Sequence, residues 1–366
     1  VRPTWQHSDS KYSREVFRSS KISKDLAFKK FFFSTLSGSL LSAVVGLSMV
    51  LLGCGVWALV GQNLVSTIAN TIVLLLIVRW RPKRMFSKER FKSLFSYGWK
   101  LTASNLMGTF FSQMKGYAIG LKYTTADLAY YNRGEGVPGI LYNNISSSIN
   151  TVLFPALSKL QDDKIAIRRA LSKTMQTASF VLMPGLLGLA AVSDNFVQIV
   201  YTSKWIAVVP FMQVICLMNC FDLLGAANVQ ALKAVGRADT LLKLEVYKKP
   251  LMVTILVFCM FISPLAIAIG QFFYSLIALA INAYPNRKYI DYPLKDQFLD
   301  ISKSFFSAVV MSLIVYFLGK LSFNIYLVLI LQIFVGILVY VLLSMRFNKV
   351  VFHEVLALFK HRVLKK

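Results

Sequence analysis

Long apolar runs alternate with short polar connections along almost the whole chain. A helix needs about 20 residues to cross the hydrocarbon core of a bilayer, and ten runs meet that need. They lie near 31–52, 55–78, 95–120, 126–152, 174–192, 206–231, 250–263, 265–284, 304–320 and 325–345. Two pairs of these spans are joined by only a few residues, at Gly53–Gly55 and at Ser263-Pro264, where Gly and Pro supply the reversal. The pattern predicts an all-α polytopic membrane protein with about 10 transmembrane helices.

Composition fits that class. In 366 residues, 56% are apolar, 28 are Phe and the mean hydropathy is +0.59, more oil than one soluble core buries. The net charge of +25 could point to nucleic acid, but the basic residues flank apolar spans instead of forming one stripe, and no nucleic-acid partner is expected. Residues 1–30 hold eight Lys or Arg, 79–92 seven, 158–173 five, 233–249 five, 286–303 four and 346–366 six, together 35 of 41. The alternate connections hold Lys122, Lys204 and Lys320 alone. Basic loops stay on the cytoplasmic side, which predicts cytoplasmic termini. Trp57, Trp80, Tyr201 and Trp205 fall near span ends, as interfacial anchors do.

Enzyme chemistry finds little support. His7, His353 and His361 sit in the tails, no outer loop exceeds about a dozen residues, and no phosphate loop accompanies the glycines of GLLGLAA at 185–191, which read as small residues for close helix packing. Cys54, Cys216, Cys220 and Cys259 lie in or beside apolar runs with no second ligand pair, so they read as buried small hydrophobes, with no metal and no cofactor. Residues 1–30 lack the apolar core of a signal peptide.

Charge inside the spans is the exception. Lys100 and Lys115 lie in the third span, Arg133 and Glu135 in the fourth within YYNRGEGVPG at 130–139, and Asp222 in the sixth. Each costs about 2.5–3.5 kcal/mol at a helix centre on insertion scales. Three cations against one acid in adjacent spans suit an anionic ligand such as pyrophosphate, with Arg133 as the forked donor, Lys115 and Lys100 as point charges, and Asn132 and Glu135 beside them. The bland readings are that both lysines snorkel to the interfaces and that Arg133 forms a structural ion pair with another helix, Asp222 being one partner to consider. The glycines and proline around Arg133 predict a weakened or kinked helix beside a cavity.

The order of LLGCGVWALVGQNL at 51–64, FKSLFSYGWKLTASNLM at 91–107, ADLAYYNRGEGVPG at 126–139, FPALSKLQDD at 154–163 and LKAVGRADTLLKLEVYKKP at 232–250 resembles the polysaccharide transporter family, in particular the Wzx/WzxC-type flippases of lipopolysaccharide, capsule or exopolysaccharide units. The resemblance runs from about Phe28 to Tyr340. It implies a MOP-type helical bundle of two lobes around a cavity open alternately to either side. Its implied activity is to flip undecaprenyl-pyrophosphate-linked oligosaccharide units across the bacterial inner membrane, without making or breaking a covalent bond, beside a polymerase and a chain-length regulator of the same pathway.

Such proteins have about fourteen helices, so the resemblance also implies a truncated amino-terminal lobe lacking about four helices. The expected organisation is a cytoplasmic basic segment at 1–30, a two-span remnant at 31–90, the core of the carboxy-terminal lobe at 91–249, four last spans at 250–346 and a basic amphipathic tail at 347–366 along the inner leaflet, held by membrane lipids. Rival readings are another MOP exporter, a membrane polymerase or ligase of the same pathway, and a nonfunctional fragment. A drug exporter would favour acidic coupling residues and an enzyme a large outer loop.

Overall fold

A computed structural model describes residues 35–77, 88–160, 163–321 and 323–363; the basic segment 1–30 lies outside them. The described residues are helical, with no strand among them. The helices are α1 (Thr35–Leu51), α2 (Trp57–Ile77), α3 (Lys88–Lys122), α4 (Thr125–Ser158), α5 (Lys164–Val200), α6 (Val209–Ala234), α7 (Ala238–Met260), α8 (Pro264–Tyr289), α9 (Leu294–Leu318), α10 (Ile325–Phe347) and α11 (Lys349–Val363), with a 3-10 turn at Ser203–Val208 before α6. Within the described residues each apolar run of the sequence falls mainly on one helix, and several helices extend past their run by two or three turns. α5, α6 with its 3-10 turn, α8, α9 and α10 are long and apolar enough to cross a membrane, which makes the chain a multi-pass membrane protein.

The helix ends follow local chemistry. Thr124 and Asp127 form a reciprocal capping box at the start of α4, the Asp127 amide donating to Thr124 Oγ1 at 3.1 Å and the Thr124 amide to Asp127 Oδ2 at 3.1 Å. Asp163 accepts from the Ala166 amide to open α5. Ser263 does the same for Ala266, followed by Pro264 in the first turn, so the α7–α8 reversal takes three residues. Gly53 and Gly55 adopt φ of +76° and +52°, the left-handed region that a side chain resists, and close the α1–α2 turn.

Two compact units divide the chain, Val1–Gly98 and Trp99–Lys366, the boundary falling inside α3. In the first, α1 and α2 pack through small residues: Gly38 faces the Ser66 carbonyl and Gly46 the Gln62 side chain. In the second, α5 packs along α9 and α6, and α6 along α4 and α8. The core between them holds Leu157, Leu171, Met183, Met212 and Leu224, with Cys216 and Cys220 as small buried thiols. Gly188 of the GLLGLAA run meets Met311 of α9, whereas Gly185 meets no neighbour.

Polar groups stitch the end of this unit where α5 begins and α6 ends. Asn228 is a hub: its Nδ2 donates to Gln297 Oε1 at 2.8 Å, and its Oδ1 accepts from Asn286 at 2.6 Å and Gln297 at 3.0 Å. Nearby, Asp300 accepts from Tyr292, Ser172 and Gln176, and Arg168 pairs with Asp296 at 2.8 Å. Burial, reinforced by the Asp300 carboxylate, pushes the Tyr292 hydroxyl above its ordinary pKa and keeps it a donor.

The amphipathic tail forms α11, but its apolar face is not wholly given to lipid. Val351 and Val355 are buried, Phe352 packs edge-on to Phe180 of α5, and Glu354 pairs with Lys173 at 2.8 Å. Val350 and Leu356 remain exposed for a bilayer.

Candidate functional site

α4 runs unbroken from Thr125 to Ser158 through the glycines and proline of YYNRGEGVPG. Gly134 has another purpose. A Cβ there would lie 2.7 Å from Phe211 Cβ and 3.1 Å from the Met212 backbone nitrogen, so the missing side chain is what lets α6 approach. A Cβ on Gly136 would meet nothing within 4 Å. Gly134→Val is therefore expected to cost about 1–3 kcal/mol by overpacking, read as a lower unfolding temperature of the purified protein in detergent, while Gly136→Ala is neutral or slightly stabilising. Equal behaviour of the two variants would contradict this reading of the contact.

Successive residues turn about 100° around a helix, which sorts the expected site residues onto different faces of α4. Tyr131, Gly134, Pro138, Ile149 and Leu153 are buried on the face that meets the helical core. Glu135 lies at the margin of that face and takes Lys115 of α3, Nζ to Oε1 at 2.6 Å, with side-chain exposures of 39% and 21%. The Lys115 ammonium also stands 5.5 Å from the Tyr131 ring centroid. Lys115 thus does not snorkel. It is held inside, where a cation without a partner would be costly.

Around Lys115 the charge balance is the reverse of the sequence count. It lines a cavity of about 170 Å³ with Asp222, Gln271, Tyr274 and Ser275, and the Ser275 hydroxyl donates to the Asp222 carboxylate. One cation here faces two carboxylates, Glu135 and Asp222. Asp222 also lines a second cavity of about 320 Å³ with Tyr142, Asn150, Gln230 and Asn282.

Arg133 points elsewhere. About 200° around the helix from Tyr131, it is exposed, with its guanidinium carbon 5.9 Å from the Tyr201 ring centroid and 5.8 Å from that of Trp205. Among the described residues it has no carboxylate partner, so neither Glu135 nor Asp222 neutralises it. The structure therefore brings Lys115 and Glu135 together and leaves Arg133 and exposed Asn132 apart from them. Lys100 lies in α3, and its side chain is outside the described residues.

The exposed face that carries Arg133 is longer than the sequence motif. Asn132, Arg133, Asn143, Asn144, Ser147, Asn150 and Thr151 are all exposed and fall within about 120° of arc along about 28 Å of helix, with Gly136 and exposed Ile140 on the same arc between Arg133 and Asn143. Ser147 and Thr151 satisfy their hydroxyls on the α4 backbone, at Asn144 O and Ser147 O. Gln230 of α6 donates to Asn150 Oδ1 at 2.8 Å. α4 packs beside α5 and α6, both able to span a bilayer. Against hydrocarbon these amides, hydroxyls and the guanidinium would be severely desolvated, so an α4 that spans the bilayer would turn them to water or a polar ligand. This stripe extends beyond the residues that the charged motif singles out. Its signal was the 3.6-residue recurrence of polar positions through YNNISSSINT at 142–151.

Comparison with known proteins fits this architecture. The family model for "Polysaccharide biosynthesis protein" matches residues 13–210, more than half of the chain. An uncharacterized membrane protein in the cps region of Klebsiella pneumoniae is 26% identical over 278 residues, covering 75% of this chain and 56% of the relative. The lipopolysaccharide biosynthesis protein WzxC of Escherichia coli K12 is 25% identical over 233 residues, covering 62% of this chain and 46% of WzxC. The chain spans about half the length of these curated relatives. Among solved structures, the lipid II flippase MurJ in its inward closed conformation superposes with a TM-score of 0.68 at 19% identity, covering 88% of this chain and 69% of MurJ. That likeness gives the fold, an all-α helical bundle like that of MurJ. With a family match that spans α1 to α5 and reaches the first residues of α6, the chain belongs to the polysaccharide biosynthesis protein family.

Proposed function

We propose that the chain serves in flipping undecaprenyl-pyrophosphate-linked oligosaccharide units from the cytoplasmic to the outer leaflet of the bacterial inner membrane, as a transporter and not an enzyme. The observation that carries this reading is the exposed polar stripe on α4 inside an otherwise apolar helical bundle. Sugars present hydroxyls that donate and accept, and the Asn and Ser side chains of the stripe offer the complementary groups. Arg133 stands near one end of it with its forked donors free for a phosphate, and Asn132 beside it adds an amide. Lys115 and Glu135 tie α3 to α4 behind the stripe, and Lys100 belongs to the same proposal from the far end of α3.

The family and the MurJ-like fold support transport of a lipid-linked precursor, since WzxC is named for lipopolysaccharide biosynthesis and MurJ for flipping lipid II. In this reading the polar head passes through a wet cavity while the prenyl tail stays in lipid, and a polymerase with its chain-length regulator consumes the product. The basic connections support an orientation with both termini in the cytoplasm.

Expression in a bacterial host deleted for its own flippase of a defined glycan tests the activity. Surface polysaccharide should return, and precursor should cease to accumulate. Absence of surface glycan at normal membrane levels of the protein would argue against it. Orientation is tested separately with single cysteines in a cysteine-free background. An impermeant reagent should label position 203 from outside and fail at 236, and the opposite result would reverse the topology.

A further inference from the structure

A groove between α7 and α8 lies outside everything described above. Its volume is about 840 Å³, and it sits where α7 begins and α8 ends. Three cations line it: Lys243 from α7, and Arg287 and Lys288 from the last turn of α8. All three are exposed, and none has a carboxylate partner among the described residues. Glu245 of α7 does not line the groove and is engaged by Lys248 at 2.5 Å and Lys249 at 3.6 Å, and the side chain of Asp239, one turn before Lys243, is outside the described residues. Repulsion among three cations at the mouth of one groove is relieved by an anion.

The remainder of the groove is not built for a free ion. Leu244, Ala280 and Ile281 form apolar walls, and Tyr247 and Tyr284 flank it at 71% and 77% exposure. Tyrosines at this height are amphipathic interface residues, ring toward acyl chain and hydroxyl toward headgroup. Basic pockets between transmembrane helices on the cytoplasmic side take anionic headgroups. We propose that this groove is a binding site for an anionic phospholipid of the inner leaflet, its phosphate held by Lys243, Arg287 and Lys288 and its acyl chains lying along the apolar walls. The site stands on the α7–α8 geometry and the membrane orientation, and is independent of whether the chain flips a glycan.

The test uses the full chain purified in detergent, with lipid retention followed by native mass spectrometry. Dioleoyl phosphatidylglycerol should be retained over dioleoyl phosphatidylcholine, which has the same chains and no net charge. Lys243→Gln, Arg287→Gln and Lys288→Gln should each weaken retention of phosphatidylglycerol about fivefold, with no effect on phosphatidylcholine. A triple variant with Lys243→Arg, Arg287→Lys and Lys288→Arg should keep most of it, which separates charge from loss of fold. Equal retention of the two lipids, or unchanged retention of phosphatidylglycerol in the three Gln variants, would overturn the proposal. So would competition by inorganic pyrophosphate at the concentration where phosphatidylglycerol binds, because it would show an anion site that ignores the acyl chains.

Discussion

Arg133→Ala is expected to reduce glycan export about 10- to 100-fold while leaving the membrane level and thermal stability of the protein close to wild type. The magnitude follows from losing hydrogen bonds to a charged group, about 1.5–3 kcal/mol. Stability should hold because the guanidinium is exposed, makes no ion pair among the described residues and contributes only ring contacts to Tyr201 and Trp205 at nearly 6 Å. Arg133→Lys should rescue poorly, since lysine keeps the charge and loses the fork. Export of the alanine variant at wild-type rate, measured as surface polysaccharide per unit of membrane protein, would return Arg133 to the role of an interfacial anchor held between two aromatic rings.

The second large effect concerns the stripe. Replacing Asn143 and Asn144 together with leucine should block export at least tenfold without unfolding the protein. Both side chains are exposed and make no side-chain hydrogen bond among the described residues, so their loss opens no cavity. If this face of α4 met lipid, the same change would remove buried amides from hydrocarbon, raise the unfolding temperature and leave export intact. The two readings therefore predict opposite results from one variant, with export and unfolding temperature measured side by side.

Helix positions and turns were legible in the sequence because apolar run length and the Gly and Pro punctuation report directly on them. Gly53, Gly55 and Ser263-Pro264 reverse the chain where expected. The charged cluster was less legible. Counting Lys100, Lys115, Arg133 and Glu135 by span treats neighbours in sequence as neighbours in space, but two residues on one helix point about 200° apart. Glu135 turns back to Lys115, and Arg133 turns out to Tyr201 and Trp205.

The distant partner on α6, Asp222, enters the Lys115 cavity from 107 residues further on, which no local pattern records. Gly134 shows the same limit. Its sequence context argues for a flexible backbone, whereas its neighbours Phe211 and Met212 show a close approach. The polar stripe was within reach, because its period is that of a helix. Hydropathy averaged over α4 conceals it, since the buried half of the helix offsets the exposed half.

The most direct measurement places the chain in unilamellar vesicles carrying a fluorescent polyprenyl-pyrophosphate oligosaccharide in both leaflets, and then adds an impermeant glycan-trimming enzyme outside. The proposed function predicts that nearly all of the lipid-linked glycan is trimmed, with the Arg133→Ala protein far slower and the Gly136→Ala protein close to wild type. Trimming that stops at the outer half of the lipid, as in vesicles without protein, would contradict it.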